Sequence, residues 1–159
     1  MSEDLSPALV LGAVVETQAE TDGLKVRVQR LDHPAGVETD WMRVSSPMAG
    51  DGHGFCFVPE VGDLAVVAFA GRRPIVLGFI YGGGDATAST DPLQRIIASR
   101  DGNAVVLIDG EKSGVTLRDK HGNEIRMDAE GISIKTGKDL RLEAAGTTTI
   151  KGATVELNP

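Results

Sequence analysis

The groups in this chain that could do chemistry are few: three histidines, one cysteine and 23 carboxylates among 159 residues. The densest polar run is Asp119-Lys120-His121-Gly122-Asn123. A carboxylate two residues from an imidazole can hold a metal or relay a proton, but a glycine-centred polar run between two apolar stretches is also the ordinary composition of a turn. The turn reading is favoured, because His33, His53 and His121 lie far apart and neither an H-E-x-x-H nor a G-x-S-x-G pattern occurs. Cys56 has no C-x-x-C partner and no neighbouring histidine in the sequence; flanked by Phe55 and Phe57, it reads as a small apolar residue in a strand. The carboxylate pairs Asp101/Asp109 and Glu124/Asp128 fall at turns or on outward strand positions, where solvation is their ordinary role. Gly82-Gly83-Gly84 is followed by no Lys-Ser/Thr and opens no helical pattern, so a hinge suits it better than a phosphate cradle. The chain is therefore expected to have no catalytic residues, no bound metal and no cofactor, and not to be an enzyme.

The elements that carry these residues divide into two kinds. Residues 1–92 hold 6 Lys/Arg against 13 Asp/Glu, whereas residues 93–159 hold 10 of each. All six aromatic residues, Trp41, Phe55, Phe57, Phe69, Phe79 and Tyr81, lie in the first part. The apolar run at Ala8–Val15 is too short to span a bilayer. The acidic start MSEDLSPALVLG lacks the basic flank of a secretory signal, so synthesis in the cytoplasm without a signal peptide is expected.

The first part shows strand-like stretches at Leu9–Val15, Leu24–Leu31, Trp41–Val44, Phe55–Val58, Leu64–Phe69 and Ile75–Tyr81. In LKVRVQRL, Leu24, Val26 and Val28 alternate with Lys25, Arg27 and Gln29, the period of a half-buried strand. Turn signals separate the stretches, among them Asp22-Gly23, Gly50–Gly54, Val61-Gly62-Asp63 and the Arg72-Arg73 turn. No window has a helical period, and five or six short strands at this size fit the five-stranded OB barrel. An OB barrel invites nucleic-acid binding, but an acidic module with scattered basic residues opposes it, so no nucleic-acid partner is expected.

The last part counts in small steps. Apolar pairs at i, i+2 recur as Val105/Leu107, Val115/Leu117, Ile125/Met127, Ile132/Ile134, Leu140/Leu142, Thr148/Ile150 and Val155/Leu157. Such a pair puts both side chains on one face of a strand, and the short repeat leaves room for a strand and a turn only. Two inward side chains per strand are too few to close a core within one chain. Three copies wound together close it, with these residues on a threefold axis. The predicted organisation is all-β: an OB-fold domain over 1–82, a linker over 83–95 and, over 96–159, an intertwined triple-stranded β-helix that makes the protein a homotrimer. Its blunt end leaves open strand edges at Val155, Leu157, Asn158 and Pro159, which call for a capping partner.

Taken together, Trp41–Gly50, Gly54–Asp63, Ala65–Phe69 and Arg73–Gly82 resemble the OB domain of contractile-tail spike proteins: phage baseplate assembly protein V and the VgrG proteins of type VI secretion. Leu117–Ile125 and Thr149–Leu157 resemble the needle of the same family. The resemblance implies a trimeric membrane-piercing spike on a hub, with a PAAR-type tip protein at its end and a target cell envelope as the thing pierced. It would act in an assembled particle, whether phage, tailocin or extracellular injection system. The large hub region of VgrG chains is missing here, so the hub is expected to be a separate protein, and no residue is singled out for its binding. Only the Gly82–Pro92 linker stands where some phage spikes carry a lysozyme domain. No His-x-His lies near the C-terminus, so the iron site of some short phage spikes is not expected. The competing reading is a trimeric tail fibre or glycan-binding depolymerase, which the aromatic-free repeat region disfavours.

Overall fold

A computed structural model of the protein describes residues 9–20, 23–34, 36–70 and 73–156. Among them every regular element is a strand, and the chain divides into two compact units, Met1–Thr87 and Ala88–Pro159.

The first unit is a closed barrel of five strands. They are β1 (Leu9–Glu20), β2 (Gly23–Arg30), β3 (Met42–Val44), β6 (Leu64–Ala70) and β7 (Arg73–Ile80), in the order β1-β2-β3-β7-β6, with β6 pairing back onto β1. Only β3 and β7 run parallel, as in an OB barrel. A small hairpin of β4 (Ala49–Gly50) and β5 (His53–Gly54) stands in the connection between β3 and β6. The alternation read in β2 is obeyed: Val26 and Val28 are fully buried while Arg27 reaches outward to Glu16 (3.2 Å) and Glu38 (2.6 Å). The interior is aliphatic, built from Val10, Val14, Val26, Val28, Met42, Ala65, Val67 and Val76, with Val44 and Phe69 packed against it. Closing the sheet with no free edge removes the aggregation hazard of an open strand.

Two expectations fail here. Phe55–Val58 forms no strand, and Cys56, expected inside one, is exposed in a loop. The reason lies in the preceding residues. Gly50–Gly54 makes a two-residue hairpin with Gly52 at φ 70° and Gly54 at φ 135°, and this turns the chain away from the barrel before the aromatic run begins. Arg72 lies outside the described residues.

Gly12 on β1 is buried, and a β-carbon there would come within 2.1 Å of the Val28 side chain and 2.8 Å of the Gln29 carbonyl. The crowding explains a glycine in the middle of an apolar strand. Asp63, at the turn into β6, receives the Glu60 N–H at 2.9 Å. Partial burial, reinforced by the nearby Asp85 carboxylate, holds its carboxyl above the ordinary range.

The second unit is a meander of five strands: β8 (Gln94–Ala98), β9 (Ala104–Ile108), β10 (Gly114–Arg118), β11 (Glu124–Asp128) and β12 (Gly131–Lys135). They pair in chain order, all antiparallel. The turns fall at the predicted signals, with Gly110 (φ 88°) and Gly122 (φ 85°) supplying the left-handed conformations that tight hairpins need. These five strands thus find their partners in their own chain. An interwoven β-helix is left only to residues 136–156, which hold no strand within one copy. Leu157, Asn158 and Pro159 lie outside the described residues.

Two measurements check this unit-by-unit account. Gly12→Ala should destabilise the barrel by about 1–3 kcal/mol in urea unfolding, the usual cost of overpacking; an unchanged midpoint would mean that the β1–β2 approach is looser. The raised Asp63 pKa means that its charge opposes folding at neutral pH, a cost relieved as pH falls through the raised value toward the ordinary 3.8. Asp63→Asn, which keeps an acceptor for the Glu60 N–H, should therefore raise the melting temperature at pH 7 and lose that advantage near pH 4.

Candidate self-assembly interface

The meander places the repeat residues on one face in two straight rows. The pairing register sets Ile97, Val105, Leu117, Ile125 and Ile134 side by side across the five strands, and beside them Arg95, Leu107, Val115, Met127 and Ile132. Antiparallel register fixes this: residues directly opposite point to the same side of the sheet, and their neighbours along the strand to the other. Eight residues picked out by their i, i+2 spacing (Val105, Leu107, Val115, Leu117, Ile125, Met127, Ile132 and Ile134) all share the face.

Within one chain this face is uncovered. Ile125 and Met127 are each 39% exposed, and Ile132 at the free edge is 74% exposed. A side chain of this size, moved fully out of water, is worth about 1.5–3 kcal/mol. A sheet must bury its apolar face against something, and among the described residues this unit has no second sheet of its own.

The opposite face changes character along the sheet. One row reads Ile96, Val106, Thr116, Arg126, Ser133, and the next Ala98, Ala104, Arg118, Glu124, Lys135. It is apolar on β8–β9 and charged or polar on β10–β12. In β9 the side chains best buried within the chain are Ala104 and Val106, on this face, and not the predicted inward pair Val105/Leu107. Both faces of β9 are apolar, so alternation alone could not rank them.

The remaining predicted core positions lie in the strandless segment. Leu140, Leu142, Ile150 and Val155 are all exposed, Leu142 at 72%. The meander stops at Thr136, whose hydroxyl accepts the Lys138 N–H at 3.1 Å. Beyond it the apolar pairs continue with no sheet to join. Of the residues expected at the tip, only Val155 is described.

Two residues of this face escaped the spacing rule. Ile97 sits beside Ile96 in QRIIA, and adjacent apolar residues give no i, i+2 pair; only the register to Val105 reveals its face. Arg95 is the one charged side chain in the two rows, and it is paired with Asp109 in the turn just after β9.

Several of the carboxylates weighed for chemistry hold turns or ion pairs. The Asp119 carboxylate accepts the backbone N–H groups of His121 (2.8 Å) and Asn123 (3.0 Å) and the Asn123 side-chain amide (2.6 Å). These bonds, the Asn123 side chain first, hold its carboxyl below the ordinary range. Asp101 pairs with Lys120 at 2.6 Å, Asp128 with Arg126 at 2.5 Å, and Asp85 receives the Gly82 N–H at 2.6 Å. Among the described residues no group of three or more His, Cys, Asp or Glu side chains could hold a metal ion.

The face can be tested against its reverse side. Ile125→Asp should prevent assembly with other copies, since each copy would carry a buried charge into the contact. Arg126→Gln, on the reverse side of the same strand, should leave assembly intact. Light scattering on both variants decides it, and equal masses would contradict the assigned face.

Two family models cover most of the chain. Residues 10–81 match the type VI secretion system/phage-baseplate injector OB domain, and residues 94–159 match the phage baseplate V C-terminal trimerisation domain. No curated protein matches as a relative. The closed barrel is the matched OB domain, and the uncovered sheet face with its strandless continuation lies in the matched trimerisation domain. The protein is thus a homotrimer joined through its C-terminal part, and the chain belongs to the phage baseplate V family of baseplate spike proteins.

Proposed function

We propose that this trimer is the rigid spike at the front of a contractile injection apparatus. It works there as a mechanical part and not as an enzyme. The observation that supports the reading is the apolar face of β9–β12 running on into an unpaired segment that keeps the same spacing. Three such sheets, faces inward, make a prism, and the three continuations with Leu140, Leu142, Ile150, Val155 and Leu157 toward the axis make an interwoven needle. Backbone groups that find no partner in one chain find one in the next, so the shaft is stiff along its length. An outer surface of balanced charge without aromatics suits a shaft that passes through an envelope better than a glycan-binding fibre.

In this reading the barrel end sits on a separate hub protein. The C-terminal end at Val155, Leu157, Asn158 and Pro159 carries a PAAR-type tip protein that closes the open strand edges. The trimer is released within an assembled particle, and contraction of a sheath drives it through the target cell envelope.

The test is Leu140→Asp introduced into the strain that makes the particle. The variant should leave particles that assemble without a front spike in electron micrographs and fail to kill or inject, while Arg141→Asp particles remain active. Leu140→Asp particles with full activity would overturn the proposal.

A further inference from the structure

The barrel carries an apolar surface that the spike reading does not use. Between β3, β7 and the hairpin loop lies an open cleft of ≈ 660 Å³, whose lining includes Met48, Phe55, Phe57 and Phe79. All four are exposed large side chains, Phe57 at 61%, and the Phe55 and Phe57 rings stack with centroids 6.5 Å apart. A soluble domain seldom leaves aromatic rings clustered in water unless something docks on them.

The loop that presents them is built rather than loose. The Phe55 N–H donates to the Met48 carbonyl at 3.0 Å, and the Ser45 N–H donates to Val76 of β7 at 2.8 Å. The Ser46 hydroxyl lies 3.0 Å from the Met48 carbonyl and 2.8 Å from that of Phe55. A β-carbon at Gly54 would meet the Met48 carbonyl at 2.3 Å, so the closing of the loop depends on glycine. Rings held this way lose little entropy on docking.

We propose that this cleft is the docking surface for the adjacent barrel of the same trimer. Three observations favour a second copy. First, the barrel unit ends at Thr87 and the next unit begins at Ala88, where Asp91 already accepts the Leu93 and Gln94 N–H groups, so no long linker joins each barrel to the trimerised part. So short a connection keeps the three barrels at high effective concentration. Second, Arg43 is the one Lys, Arg, Asp or Glu among the residues lining the cleft, on a module with 13 carboxylates against 6 basic residues. The cleft thus carries one positive charge and no carboxylate on an acidic module, and a sister barrel supplies the complementary charge. Third, a head-to-tail contact repeated around a threefold axis closes on itself, so every cleft is covered and no fibre grows. The inference rests on the trimer and not on the spike reading.

The test places the photocrosslinker p-benzoylphenylalanine at Phe57 in the full chain, confirms the trimer mass by light scattering and irradiates. Covalent dimers and trimers on a denaturing gel, with the linked peptides mapped to residues 9–81 of another copy, are expected. Only monomer bands, or links confined to residues 94–156, would overturn the proposal. Should the Phe57 probe prevent assembly, the same probe at Met48 reads the same cleft with the same two outcomes.

Discussion

An antiparallel sheet with one largely apolar face cannot stay a single layer in water. In the C-terminal unit that constraint governs everything else. Five short strands pair with their neighbours, so the backbone groups between strands are satisfied within the chain and the sheet is open only at its β8 and β12 edges. What is left over is the face: two rows running from Ile97 to Ile134 and from Arg95 to Ile132. Covering it needs other copies. The match to a trimerisation domain says how many. In the proposed spike the meander of β8–β12 works as a template, since it fixes which side chains share one face before the strandless segment begins.

The barrel solves the same problem by another route. It closes on itself and buries a small aliphatic core in which Met42 is the largest side chain, so it needs no second copy to fold. Its demands are local ones of space, as at Gly12 against Val28, and of charge, as at Asp63. The two units thus divide the work. One is folded by closure within the chain, the other by assembly between chains, and the aromatic cleft is where the first would be drawn into the second.

Much of this was legible in the residues. The i, i+2 spacing identified eight side chains that share one sheet face, because a strand's period of two admits no other arrangement once the turns at Gly110, Gly122 and Gly131 keep the register. The alternation of Leu24–Leu31 likewise gave β2. Phe55–Val58 misled, because an apolar aromatic run has the composition of a strand whether or not a partner lies beside it. Ile97 was hidden because its face is defined by its cross-strand partner Val105 and not by its own neighbours. The path of residues 136–156 was legible only as a periodicity. They hold no strand within one copy; in the proposed needle their backbone partners belong to other chains, and a sequence names its own residues without saying which copy supplies each strand.

Methionine oxidation tests the central claim most directly, because Met127 sits in the middle of the apolar face while Met48 stands on the exposed barrel loop. The native protein would be treated with dilute peroxide and the sulfoxide at Met127 followed by mass spectrometry, against the same chain unfolded in urea. If three faces close on one another, Met127 is sealed from solvent and oxidises far more slowly than in the unfolded chain. Oxidation of Met127 at the unfolded rate, in a sample that keeps its trimer mass, would contradict the account.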